Sequence, residues 1–300
     1  MRPSSPLPRP TTHLSVTASL ALALLVGGGG VVLTAGCALP GARSKMPTIR
    51  PAAQAQDDSH LLFAPPMTLL EGDDVIVRVV GPQMNCSGTL VEDDLVLTAH
   101  HCIVQRGPHG EFKKEALPAK AIGVELGGDY LPWGSVGVKA IVAPPCGEAG
   151  GAGDLAVLVL TRKLAGMMTK NPLKAPPPKA RLDHPPEIGE ELSPAGFGRC
   201  ALSDDGIRRK VRPGGHVRAL TGETIELSAS ICPGDSGGPV LSRRTNEVVG
   251  VISLSAMDGD ESTRNLSVMA RIDSYRKVFG HARAIADGAS LAELPPLECQ

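Results

Sequence analysis

Near the C-terminal end of the chain, Cys232-Pro233-Gly234-Asp235-Ser236-Gly237-Gly238-Pro239 sets a serine between glycines, with an aspartate directly before it. Small neighbours let an acyl group approach the hydroxyl closely. Backbone N–H groups of Gly234 and Ser236 could converge on a developing oxyanion, a preorganised donor pair worth roughly 10²–10³ in rate per donor. The same composition also suits an ordinary hairpin turn, so the run alone does not decide between the two.

A serine hydroxyl is a weak nucleophile until a base takes its proton. Upstream, Leu95-Val96-Leu97-Thr98-Ala99-His100-His101-Cys102 ends a strand-patterned run in two histidines and a cysteine. Between the two stretches, Gly153-Asp154-Leu155-Ala156-Val157-Leu158-Val159-Leu160 opens an apolar strand with a carboxylate. The order is therefore histidine, aspartate, serine, which differs from the α/β-hydrolase and subtilisin orders and agrees with the chymotrypsin one. From the residues alone either His100 or His101 could be the base. A histidine beside a cysteine could also ligate a metal, although no second Cys/His cluster follows at ligand spacing.

These stretches resemble the trypsin/chymotrypsin-type serine peptidases. Further matches follow the same order: Cys86-Ser87-Gly88-Thr89-Leu90-Val91, Gly196-Phe197-Gly198, Gly250-Val251-Ile252-Ser253 and Val268-Met269-Ala270-Arg271-Ile272-Asp273-Ser274-Tyr275. The resemblance covers roughly residues 70 to 285. It implies an all-β fold of two six-stranded antiparallel Greek-key barrels with the active site in the cleft between them, closed by a C-terminal α-helix. It implies Ser236 as nucleophile, His101 as base because that register lies directly before the cysteine, and Asp154 as the carboxylate that fixes the imidazole. Gly234 and Ser236 would supply the oxyanion donors, and Ser253 would hydrogen-bond the aspartate. Substrate would pair with the Ser253-Leu254-Ser255 strand edge.

The resemblance also puts Ser230 at the base of the pocket for the side chain preceding the cut, with Ser255 and Ser267 on its walls. No carboxylate stands at the base, so the expected preference is for small or medium uncharged residues; Asp258, Asp260 and Glu261 form an acidic turn nearby. Among disulfides it implies Cys86–Cys102, a loop contributing roughly 3 kcal/mol in the chain-entropy model. The remaining cysteines depart from the family pattern, and Cys200–Cys232 and Cys146–Cys299 are the expected pairs, with free thiols as the alternative. Family zymogens release an Ile-Val-Gly-Gly-like N-terminus whose amine meets the aspartate before the nucleophile. No such sequence precedes Val75, so Asp235 needs another partner, and direct folding into an active form is expected.

Several elements must carry these groups. Strand patterns fall at Val75–Val80, Cys86–Val91, Leu95–Ala99, Ala121–Leu126, Val136–Val142 and Asp154–Leu160. A second series runs Glu191–Gly196, Arg208–Val211, His216–Leu220, Thr224–Leu227, Pro239–Leu241, Val248–Ser253 and Val268–Ile272. Proline crowds residues 166 to 188, which excludes helix and central strand and marks the crossover between barrels. Val278, Phe279, Ala282, Ile285 and Ala286 recur at helical spacing within residues 274–289. The catalytic unit is thus expected over 67–290, with barrel 1 at about 70–165, barrel 2 at 189–272 and a tail at 291–300.

The chain begins with Arg2 and Arg9 ahead of an uncharged stretch from Leu14 to Ala35, which reads as an export signal. Leu33-Thr34-Ala35-Gly36-Cys37 resembles a bacterial lipobox, so residues 1–36 would be removed and Cys37 lipidated, anchoring the protein to a membrane. An ordinary cleaved signal peptide or an uncleaved anchor are the alternatives. Residues 37–66 have tether composition. Net charge is −1 with 20% charged residues, which offers no surface for nucleic acid. With four Phe, two Tyr and one Trp among 300 residues, Val, Leu, Ile and Ala must fill the core. No cofactor or metal is implied; polypeptide substrates are the expected partners of a monomer. A peptidase-like lipoprotein that binds partners without turnover, and an esterase using the same machinery, are the competing readings.

Overall fold

The computed structural model describes residues 72–298 apart from 128–131, 133, 146, 148–149, 165–175, 200–208 and 256–265. The chain forms β1 (Ile76–Val80), β2 (Asn85–Glu92) and β3 (Leu95–Thr98), then a hairpin of β4 (Val104–Arg106) and β5 (Phe112–Ala116). Next come β6 (Gly123–Leu126), β7 (Gly134–Val142) and β8 (Ala156–Leu160). Strands β1, β2, β3, β8, β7 and β6 close into a barrel in that order. Every side chain of β3 and β8 is buried, as their unbroken apolar runs require. By contrast, β7 alternates buried and exposed positions, the period-2 signature of a half-solvated strand.

The second series gives β9 (Glu191–Gly196), β10 (Lys210–Val211), β11 (Gly215–Leu220) and β12 (Thr224–Ser228). It continues with β13 (Pro239–Ser242), β14 (Val248–Ser255) and β15 (Leu266–Arg271). Strand β9 pairs with β11 on one side and with β13 on the other, which closes β9-β11-β12-β15-β14-β13 into a second barrel. The short β10 pairs with the far end of β9, at Ala195 and Gly196. In each barrel the first three strands run consecutively, the sixth lies beside the third, and the fifth and fourth return to the first. This is the two-barrel, all-β architecture expected from the sequence.

The crossover is stitched to β14, with Arg181 N–H donating to Val248 O at 2.9 Å and Val248 N–H to Lys179 O at 2.9 Å. Arg181 is buried and pairs with Glu190 and Glu247, so its guanidinium does not go unpaired into the interior. Helix α1 (Arg276–Ala286) buries Val278, Phe279, Ala282 and Ile285 against the first barrel. Arg283 fixes it there through both carboxylate oxygens of Asp94, at 2.7 and 3.1 Å. That ion pair, with burial opposing it, holds the Asp94 carboxyl below its ordinary range.

The hairpin of β4 and β5 was not foreseen. Its second strand, Phe-Lys-Lys-Glu-Ala, is exposed throughout, and a strand with no buried face leaves no apolar alternation to read.

Candidate active site

Asp154 lies in a turn just ahead of β8 and is fully buried. Both of its oxygens accept hydrogen bonds from the histidine turn that follows β3. His101 N–H donates to Oδ1 at 2.8 Å, and His101 Nδ1 lies 2.7 Å from Oδ2. Ser253 Oγ also donates to Oδ2, and Gly150 N–H approaches it at 3.4 Å. Burial alone would push this carboxyl up. Hydrogen bonds from the His101 ring, Ser253 and the His101 backbone, with attraction to the imidazole, outweigh burial and hold Asp154 below its ordinary value. An ionised carboxylate at Oδ2 requires the Nδ1–H tautomer of His101 and leaves Nε2 as the acceptor.

Ser253 reaches Asp154 because of an irregularity in the sheet. Ile252 pairs with Met269 and Leu254 with Val268, so Ser253 is the extra residue of a β-bulge. Such a bulge re-aims one side chain without disturbing its neighbours. Beyond Ile252, β14 outruns its pairing with β13, which ends at Val251. The Ser253–Ser255 backbone thus leaves an open edge among the described residues, and Leu254 is exposed beside it.

His101 rather than His100 is the residue bonded to the carboxylate. His100 lines a second recess with Pro144, Pro145 and Gly147, which His101 also borders, and is absent from the one that holds Ser236. Its imidazole is pushed down by burial, only partly offset by Asp154 and by a hydrogen bond with Gly147. Phe112, on the unforeseen hairpin, stacks edge-on to the His101 ring at 5.3 Å and carries the Arg106 guanidinium 4.2 Å above its own ring. The hairpin therefore covers one side of the imidazole.

Ser236 is half-buried and shares a recess of about 300 Å³ with His101, Ser253, Leu254, Gly234 and Phe112. The turn before it is closed by Asp235 N–H donating to Cys232 O at 2.9 Å, with Gly234 at φ +100°. Among the described residues neither Gly234 N–H nor Ser236 N–H donates to another protein group. After the serine, Gly237 has φ +82°, and a Cβ there would lie 2.3 Å from Ser87 O and from Thr98 Oγ1. Only glycine lets this loop sit so close to the first barrel.

Ser87 joins the barrels. It is fully buried; its N–H donates to Ser236 O at 2.8 Å and its Oγ to Gly234 O at 2.7 Å. Phe197 N–H donates back to Ser87 Oγ at 2.8 Å. The sequence marked Ser87 only as part of a matching stretch, because nothing local says what its hydroxyl meets.

Asp235 is fully buried and does have a cationic partner. Arg212 Nε lies 2.8 Å from Oδ2 and an outer guanidinium nitrogen 2.9 Å from Oδ1. Arg212 is itself 7% exposed. Breaking such a buried pair by removing one member costs roughly 3–5 kcal/mol. Sequence reading did not single out Arg212, which directly follows the strand pattern at Arg208–Val211.

Among the expected specificity residues, Ser230 is exposed. Ser267 is fully buried with its hydroxyl donated to Ala229 O at 2.6 Å, so its side chain braces β15 against the preceding loop. Ser255 pairs with Ser267 in register across β14 and β15. The acidic turn at Asp258, Asp260 and Glu261 lies outside the described residues.

Cys86–Cys102 is bonded and brackets the histidine turn, with a sequence separation of 16. Cys232 is also disulfide-bonded, while Cys200, Cys146, Cys299 and Cys37 lie outside the described residues. Among the described residues, Cys86, Cys102 and His101 approach at ligand spacing. Their sulfurs are joined to each other, however, so no thiolate is available to a metal.

Comparison with known proteins agrees with this geometry. A family model described as Trypsin matches residues 74–279. Granzyme E of Mus musculus is 29% identical over 188 residues, spanning 55% of this chain and 68% of its own. Granzyme C of Mus musculus is 26% identical over 233 residues, spanning 69% and 84%. A Glu endopeptidase solved in complex with MPD shares the fold, with a TM-score of 0.55 at 16% identity over 70% of this chain and 91% of that one. The chain belongs to the trypsin family and is a serine-type endopeptidase.

Proposed function

We propose that the protein hydrolyses peptide bonds through an acyl-enzyme formed on Ser236. The reading is carried by one observation: a buried Asp154–His101 pair, its ring 2.7 Å from the carboxylate and lining the same recess as Ser236. Ser236 Oγ attacks the scissile carbonyl carbon while His101 Nε2 takes its proton. The tetrahedral oxyanion accepts from Gly234 and Ser236 N–H. Collapse breaks the C–N bond, and the imidazolium returns the proton to the leaving amine. Water then attacks the acyl carbon with His101 again as base, releasing the acid and restoring Ser236. An extended substrate adds to the free edge of β14 at Ser253–Ser255.

Labelling by a fluorophosphonate and cleavage of a peptide library, compared between wild type and Ser236→Ala, test this. Both activities should be present in wild type and absent from the variant. Partner capture by a wild type that neither labels nor cleaves would favour the binding-protein reading instead. With Ser230 in place of an acidic pocket base and Ser255 and Ser267 as wall side chains, the same library should show a loose preference for small uncharged side chains before the cut. One methylene discriminates by only about 1–3 kcal/mol. Cleavage chiefly after Lys or Arg would contradict it.

The Cys86–Cys102 bond favours an oxidising compartment outside the cytosol, in keeping with the N-terminal signal. We place the mature N-terminus at a lipidated Cys37 of a bacterial lipoprotein. Mass spectrometry of the purified mature protein should find a diacylglyceryl adduct on Cys37; an unmodified N-terminus after another cleavage site would refute it.

A further inference from the structure

We propose that Arg212 is the positioning residue that holds the oxyanion turn in working shape, a cation supplied from within the chain rather than by cutting it. The proposal rests on the serine peptidase reading above and adds to it the means by which the site is kept assembled.

The Asp235 carboxylate, directly before the nucleophile, is saturated. Its Oδ1 accepts from Gly198 N–H at 2.7 Å and from the Arg212 guanidinium at 2.9 Å. Its Oδ2 accepts from Cys232 N–H at 2.8 Å and from Arg212 Nε at 2.8 Å. The guanidinium also donates to Gly198 O at 2.6 Å, and Arg212 N–H donates to Pro194 O at 2.8 Å. A planar fork bonded this way fixes direction as well as charge.

From Asp235 the constraint passes straight into the turn. The side chain accepts from Cys232 N–H while the backbone N–H of the same aspartate donates to Cys232 O, so residues 232–235 are closed at both ends by one residue. Gly234, at φ +100°, lies within that closure. The N–H groups of Gly234 and Ser236 stand on either side of Asp235, and their aim follows from where its carboxylate is held. The cradle leaves the carboxylate little room to shift, since a Cβ on Gly198 would lie 2.4 Å from its Cγ. Without the cation, a fully buried carboxylate must either turn toward water, taking the turn with it, or bind a proton and lose its charge-assisted bonds.

Because Arg212 is part of the folded chain, the pair forms as the second barrel closes. Creating the cation requires no new chain end. A second ion pair beside it, Arg209 to the buried Asp74 at 2.6 Å, ties the segment leading into Arg212 to the start of β1. The strand β10 between these arginines is thus anchored on one side to the segment entering β1 and on the other to the turn that carries Ser236.

The test uses the full chain with Arg212→Gln and Arg212→Lys variants. Folding is read by near-ultraviolet circular dichroism, chemistry by fluorophosphonate labelling rate, kcat and KM. Folded Arg212→Gln should keep its KM but lose about 10²–10³ in kcat and labelling rate, the scale of one misaligned oxyanion donor. Arg212→Lys should recover part of that loss. Wild-type labelling should appear on chains that begin well ahead of Val75, which mass spectrometry of the labelled protein reads without any variant. Unchanged kcat in folded Arg212→Gln, or label found only on chains cut just ahead of Val75, would overturn the proposal while leaving the peptidase reading intact. A wild type that neither labels nor turns over would overturn both.

Discussion

Ser236→Ala is expected to lower kcat by about 10⁶-fold, with His101→Ala costing about as much and the double variant hardly more. The reason is in the coupling of the two groups. Removing the hydroxyl leaves the imidazole with no proton to take, and removing the imidazole leaves a hydroxyl that does not ionise. What survives should be the acceleration from the oxyanion donors and from substrate binding, which neither substitution touches. KM should therefore change little, and steady-state kinetics on the best library peptide separates the two parameters. Additive losses would mean that Ser236 and His101 act in different steps, and the shared-recess argument would fail.

Asp154→Asn is expected to cost about 10⁴-fold in kcat while leaving the fold intact, as in the general triad template. The hydrogen bonds around this carboxylate explain why an isosteric change should be so harmful. Both oxygens accept: Oδ1 from the His101 backbone, Oδ2 from the imidazole and from Ser253. An amide has one acceptor and one donor end. With its nitrogen at Oδ2, His101 must accept at Nδ1 and carry its proton on Nε2, where it blocks transfer from Ser236. With its nitrogen at Oδ1, two N–H groups confront each other in a buried site. The first orientation meets its hydrogen bonds only with the wrong tautomer, and the second sets two donors face to face. The proton on His101 can be followed by nitrogen NMR, which should report the Nε2–H tautomer in the variant; an unchanged Nδ1–H tautomer with full activity would refute the assignment.

The proposed reacting groups were legible because their chemistry constrains their neighbours. Glycines beside Ser236, a cysteine after His101 and an apolar run after Asp154 are each local, and their order along the chain was enough to join them. The barrels were legible wherever one face is buried, as in the alternation of β7 and the apolar runs of β3 and β8. What the sequence did not reveal depends on contacts between distant segments. Arg212 becomes a buried partner only after β10 has paired with β9 and Asp235 has been brought over from another loop. The Ser267 hydroxyl is donated to Ala229 O, a partner set by the register of β15 against β12. The strand carrying Phe112 has no buried face at all. Its role comes from where it hangs relative to His101, which no periodicity encodes.

Ser87 has a consequence that follows from its place between the barrels. The Asp154–His101 pair belongs to one half of the molecule and Ser236, the proposed attacking group, to the other, while the Ser87 hydroxymethyl group, like that of Ser253, reaches across that seam. Catalytic competence is therefore a property of the docking between halves. A slight slip along the junction would silence hydrolysis although each half kept its own interior undisturbed.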